Sequence, residues 1–209
     1  MTAGPGQGAG AIFLDRDGVI TANVLNPATG EFEAAHALED FAVLPGAVEA
    51  LRRFDRAGWP LFLVSNRPDA ALGKARIETI QEIHARMMAH LAPAGIRFVE
   101  TYYCYHHPKG HVAPFAGPCA CRKPSPHFLL KARDAHGVDL SKSWMIGDRE
   151  TDIACGRAAG ARTIRVGEAA DTAAEACVPD LTAAADRILS RPPDQRPGKR
   201  PPRPRPAAA

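Results

Sequence analysis

The sequence predicts an α/β fold built on a doubly wound parallel sheet, and three observations carry that prediction. Continuous apolar runs of strand length stand at AIFLD (11–15), LFLVSN (61–66) and WMIGD (144–148). Runs of this kind suit parallel strands covered on both faces. Between them apolar residues recur at helical spacing, and strand alternating with helix is the pattern of a parallel sheet. With 209 residues, 45% of them hydrophobic, the chain is long enough to bury one substantial core.

Taken in order, the first run ends in DRDG, and Gly18 permits the chain to bend there. A helix follows over Val48, Leu51 and Phe54. The second run ends in Ser65 and Asn66, and a second helix carries Ile77, Ile80, Ile83, Met87 and Leu91 on one face. A third helix is predicted from Pro126 to His136, before the run that ends in Asp148. There is no internal repeat.

The ends differ from this body. Residues 1–10, MTAGPGQGAG, hold four glycines and no cation and read as a flexible start. Residues 191–209, RPPDQRPGKRPPRPRPAAA, carry six Arg/Lys against one Asp and seven of the 19 prolines, so they read as a disordered basic tail. The formal charge is +3, but that tail contributes +5, leaving −2 for the rest. Residues 11–190 are therefore expected to form a single, mildly acidic domain. No stretch has the length of a signal core or a membrane span, and five cysteines, an odd number, fit a reducing compartment better than a disulfide framework. A cytoplasmic location with no membrane partner is expected.

Doubly wound sheets place their ligands at the carboxyl ends of the strands. Each apolar run ends in a polar cluster: Asp15 with Asp17, Ser65 with Asn66, and Asp148. If the runs are neighbouring strands, these clusters share one edge. Two carboxylates two residues apart can divide a reaction, one as nucleophile and the other as acid and base. A carboxylate attacks phosphorus to give an aspartyl-phosphate when a cation offsets the repulsion between anions. Magnesium suits this, since it takes hard oxygen ligands.

The motifs FLDRDG, VSN, CRKP and IGDRETD, in that order and spacing, resemble the four motifs of the haloacid-dehalogenase-like (HAD) phosphatases, a Rossmann-like family. With YYCYHHPKG and CACRKP between the second and fourth, the chain is most similar to the zinc-containing branch that includes heptose 1,7-bisphosphate phosphatases and histidinol-phosphate phosphatases. The resemblance spans about residues 11–167. It implies that Asp15 attacks the phosphoryl group, and that Asp17 protonates the leaving alkoxide and later deprotonates water. It implies that Asp15, Asp148 and the backbone carbonyl of Asp17 hold Mg2+, with Asp152 in support. Ser65 and Lys123 would steady the phosphoryl oxygens. Arg149 stands where the family often has Lys. The segment 19–45 is too short for the large cap domain of many relatives, so an open site is expected.

Cys104, Cys119 and Cys121 with an imidazole suit a closed tetrahedral Zn2+ site. The residues alone leave His106, His107 and His111 as rivals for the fourth place, and the resemblance favours His106. Four ligands leave no open position, so this zinc, in a loop over 104–121, would be structural. Its expected role is to fix Cys121 and so aim Arg122 and Lys123 at the edge carrying Asp15.

The chain departs from the family where relatives usually have TNQSG, here SNRPD, and in residues 20–40. Asn66, Arg67, Arg122 and Arg149 are the expected substrate-binding residues, with Arg67 reaching the open edge beside Arg122. The expected activity is hydrolysis of a small sugar phosphate, heptose 1,7-bisphosphate or a related heptose phosphate, by a monomer. The alternatives are histidinol phosphate, or, from another class, nucleic-acid binding or polynucleotide-end hydrolysis through the basic tail. The acidic body argues against the latter.

Overall fold

A computed structural model describes residues 8–27, 30–169 and 171–190. The basic tail, and residues 1–7 of the expected flexible start, lie outside the described residues. Residues 8–10 do not behave as a free arm. The Gly8 N–H donates to Gly137 O, the Asp139 N–H donates to Ala9 O, both at 2.9 Å, and Gly10 is buried.

Six parallel strands form the sheet: β1 (Ile12–Leu14), β4 (Leu61–Asn66), β5 (Glu100–Cys104), β6 (Trp144–Gly147), β7 (Arg162–Val166) and β8 (Ala176–Val178). Their order is β5-β4-β1-β6-β7-β8, so β1 lies between β4 and β6. A short antiparallel hairpin, β2 (Asn23–Leu25) with β3 (Phe32–Ala34), follows β1 and is the only inserted structure there among the described residues. The expected doubly wound sheet without a large cap is what forms. Helices α1 (Ala47–Arg56), α2 (Ile77–Leu91), α3 (His127–His136), α4 (Glu150–Ala158) and α5 (Leu181–Leu189) cover its two faces.

Strand side chains alternate between faces, and the core divides accordingly. Ile12, Leu14, Leu61, Leu63, Trp144 and Ile146 pack on one side with Leu51 and Phe54 of α1, Met87 and Leu91 of α2, and Ile188 of α5. Phe13, Phe62, Val64 and Met145 pack on the other with Leu129 of α3 and Cys155 of α4. This double coverage explains why the three central strands read as unbroken apolar runs. Phe13, wholly buried and stacked on Phe62 at 5.1 Å, is the kind of residue whose truncation to Ala costs about 3–5 kcal/mol.

Register then positions the site. Leu14 pairs with Leu63 on one side and Ile146 on the other, so the residues that follow, Asp15, Ser65 and Asp148, emerge at one edge. No helix among the described residues is long and apolar enough to cross a membrane.

Candidate active site

Two glycines let the acids converge. Gly18, at φ 78°, sits where an added Cβ would collide with the Asp148 carboxylate, and a Cβ on Gly147 would collide with the Asp152 side chain. Asp152 is the third residue of α4; its Oδ2 accepts the Arg149 N–H at 3.0 Å and so caps that helix. One carboxylate oxygen each from Asp15, Asp148 and Asp152 lie within 4.8 Å of one another.

Lys123 enters this cluster fully buried. Its Nζ lies 3.0 Å from Asp15 Oδ1 and 2.6 Å from Asp152 Oδ1, and donates to Val64 O at 2.7 Å. One ammonium does not neutralise three carboxylates. Burial first, then Asp15 and Asp152, push Asp148 up to about 7. Burial, and Asp15 against the pull of Lys123, push Asp152 up to about 6. Asp148 Oδ1 is buried with no hydrogen-bond partner, while its Oδ2 accepts from Asn23 Nδ2 at 3.2 Å. An orphaned carboxylate oxygen in an anionic pocket fits a hard divalent cation. Asp15, Asp148 and Asp152 each bring an oxygen to this group; Asp152 Oδ2 is taken by the Arg149 N–H and its Oδ1 pairs with the Lys123 ammonium at 2.6 Å.

Ser65, at the end of β4, is 1% exposed and its Oγ has no hydrogen-bond partner. A buried hydroxyl in that state is short of an acceptor or donor from outside the chain. Asp17 is differently placed. Arg16 Nε and Nη2 donate to its Oδ1 at 3.1 and 2.9 Å, and Thr21 Oγ1 donates to the same oxygen at 3.2 Å. The Arg16 guanidinium is itself buried, 5.8 Å from the centre of the Tyr103 ring. Burial raises the Asp17 carboxyl from its ordinary range, against the pull of Arg16.

The second cluster lies beyond the end of β5. Cys104, His106, Cys119 and Cys121 come together, with sulfur to sulfur distances of 3.2–3.5 Å and His106 Nδ1 3.9 Å from Cys121 Sγ. Tetrahedral zinc, with bonds of about 2.3 Å to sulfur, needs ligand separations of about 3.8 Å, so these four residues fit the ion with a small expansion. His107 and His111 are not in the cluster: the His107 ring accepts the Lys109 N–H at 3.1 Å, and the His111 N–H donates to Ala71 O. The chain leaving this cluster carries Arg122, half-buried with Nη1 donating to His106 O at 3.3 Å, and then Lys123.

Among the residues expected to bind substrate, two are placed otherwise. Arg67 does not reach the open edge. It is 0% exposed, with Nε donating to Asp69 Oδ2 at 2.6 Å and Nη2 to Ala35 O at 2.9 Å. The amide of Asn66 is committed to the backbone of Lys123. Arg149 is exposed beside the hairpin, its Nη2 donating to Phe32 O at 3.4 Å. Burial lowers the proton affinity of the Arg122 guanidinium. Sequence reasoning gave no role to Arg16, Asn23 and Asp69. Arg16, inside DRDG, and Asp69, inside SNRPD, carried a local signal, and Asn23 did not.

Residues 120–189 match the model of a family described as HAD-hydrolase-like. Over 187 residues, 88% of this chain and 92% of the relative, the sequence is 34% identical to the D-glycero-β-D-manno-heptose-1,7-bisphosphate 7-phosphatase of Yersinia pestis. It is 36% identical over 186 residues to that of Escherichia coli K12, covering 86% of this chain and 88% of the relative. A solved D,D-heptose 1,7-bisphosphate phosphatase from B. bronchiseptica, complexed with magnesium and phosphate, matches with a TM-score of 0.72 at 27% identity over 86% of this chain and 98% of that one. With this likeness along most of its length, the chain belongs to the HAD-like phosphatases, in the family of the heptose-bisphosphate phosphatases.

Proposed function

We propose that the chain removes the 7-phosphate of D-glycero-D-manno-heptose 1,7-bisphosphate through an aspartyl-phosphate on Asp15. The relatives' names supply the substrate. The observation that carries the chemistry is the Lys123 ammonium 3.0 Å from Asp15 Oδ1, at the strand edge that also presents the unpartnered Ser65 hydroxyl.

The Asp15 carboxylate attacks phosphorus and the bond to the leaving alkoxide oxygen breaks. Lys123 offsets charge on Asp15 and on the transferring oxygens, and Ser65 Oγ donates to one of them. Asp17, whose raised proton affinity suits an acid, hands its proton to the alkoxide. It then takes one from the water that cleaves the acyl phosphate. Asp15 and Asp148 would hold magnesium, with the Asp17 carbonyl; the ion supplies charge neutralisation. A zinc held by Cys104, His106, Cys119 and Cys121 would fix the loop from which Arg122 and Lys123 project. Arg122, directly before Lys123, and Arg149, directly after Asp148, are cations suited to the second phosphate. Five free cysteines support a cytoplasmic setting, and a monomer is proposed.

Phosphate release from the 1,7-bisphosphate, each heptose monophosphate, histidinol phosphate and a 5′-phosphorylated oligonucleotide tests this reading. The expected result is the highest kcat/KM on the bisphosphate, with phosphorus NMR showing the 1-phosphate retained. A higher kcat/KM on histidinol phosphate or the oligonucleotide would overturn the substrate assignment.

A further inference from the structure

Asp17 faces two buried guanidiniums. Arg16 and Thr21 hold its Oδ1, whereas Oδ2 receives only the Arg16 Nε, at 3.2 Å. Arg67 also approaches it, with Nη1 3.6 Å from the same Oδ1. That nitrogen is buried and makes no hydrogen bond. The remaining edges of the Arg67 fork are fixed by Asp69 Oδ2 and by Ala35 O, and Asp69 is held in turn by His36 Nε2 at 2.8 Å from its Oδ1. Two guanidiniums and two carboxyl groups, Arg16, Arg67, Asp17 and Asp69, therefore form one buried group. A guanidinium is planar and its donors are fixed relative to one another, so anchoring two edges sets the direction of the third.

We propose that Arg67, oriented by Asp69, is a positioning residue for Asp17: it confines the anchored oxygen Oδ1 and leaves Oδ2 to exchange the proton with the leaving group. Being 0% exposed, Arg67 acts through Asp17 and not on the substrate. The inference rests on the reading of Asp17 as the acid in the proposed reaction. It gives Arg67 and Asp69, two residues apart in SNRPD and joined at 2.6 Å, a joint role.

An acid matters most when the leaving oxygen is basic. The test compares kcat/KM, which reports steps up to phosphoryl transfer, for phenyl phosphate, a poor leaving group, and 2,4-dinitrophenyl phosphate, a good one. Arg67→Gln is expected to lower kcat/KM about 10–100-fold on phenyl phosphate, a fraction of the roughly 10²–10⁴-fold that a general acid supplies. On dinitrophenyl phosphate the change should stay within about threefold. The double variant Arg67→Gln/Asp69→Asn removes both partners together, avoids stranding a buried charge, and should show the same selective loss. Asp17→Asn is the control. If it is selective and the folded Arg67 variants lose activity equally on both substrates, or on neither, the positioning role is overturned. If Asp17→Asn itself is not selective, it is the assignment of Asp17 as acid that has failed, and the inference falls with it.

Discussion

Asn66 and Lys123, 57 residues apart in sequence, are paired twice: Asn66 Nδ2 donates to Lys123 O and the Lys123 N–H donates to Asn66 Oδ1, each at 3.1 Å. The side-chain amide thus stands in for a strand neighbour. It joins the end of β4 to the segment that leaves the cysteine cluster, and it fixes the backbone from which the Lys123 ammonium reaches Asp15.

Asn66→Ala removes both bonds. Kcat should fall about tenfold or more with KM nearly unchanged, and stability should drop by about 2 kcal/mol at about 1 kcal/mol for each hydrogen bond. Steady-state kinetics with thermal melts check this. A raised KM with unchanged kcat would return Asn66 to the substrate-binding role that its sequence position suggested.

The cysteine cluster should hold about one zinc per chain, measurable by elemental analysis. Cys119→Ser should lower zinc content, melting temperature and turnover together, because Arg122 and Lys123 follow directly from Cys121. Full activity in a zinc-free protein would remove the loop from the site's support.

Stability of the metal-free protein should fall as pH rises. Burial and mutual repulsion raise Asp152 to about 6 and Asp148 to about 7 from an ordinary value of 3.8. The folded state therefore binds more protons than the unfolded one between these values, and that contribution is present at low pH and lost as pH climbs toward 7. Magnesium should restore it. Melts from pH 5 to 8 with chelator and with magnesium should diverge as pH rises; parallel curves would contradict the cation site.

Arg122→Ala should raise KM for the heptose bisphosphate about tenfold while leaving an aryl phosphate within about twofold, since only the larger substrate carries a second phosphate for it to meet. Equal effects on both substrates would place Arg122 in support of the zinc loop instead.

What the sequence disclosed follows from burial. The strands β1, β4 and β6 are covered on both faces, so LFLVSN and WMIGD read directly as strands. The edge strand β5, ETYYC, and β7, RTIRV, place charged and hydroxylic side chains at partly exposed positions, and that mixture hid them. The acids, Lys123 and the four cysteine and histidine residues were legible because each sits in a short motif. Arg67 and Asn66 were not, because their partners, Ala35 and Lys123, come from segments 32 and 57 residues away. Sequence adjacency to a strand end says that a side chain is near the edge but not which way it turns.

The most direct measurement is acid quenching during turnover of the bisphosphate, followed by mass spectrometry of the peptide that carries DRDG. A phosphoryl group on Asp15, formed within a single turnover and absent from a folded, inactive Asp15→Asn variant, is the expected result. Phosphate on another residue, or an Asp15→Asn variant that turns over near the wild-type rate, would contradict Asp15 as the nucleophile.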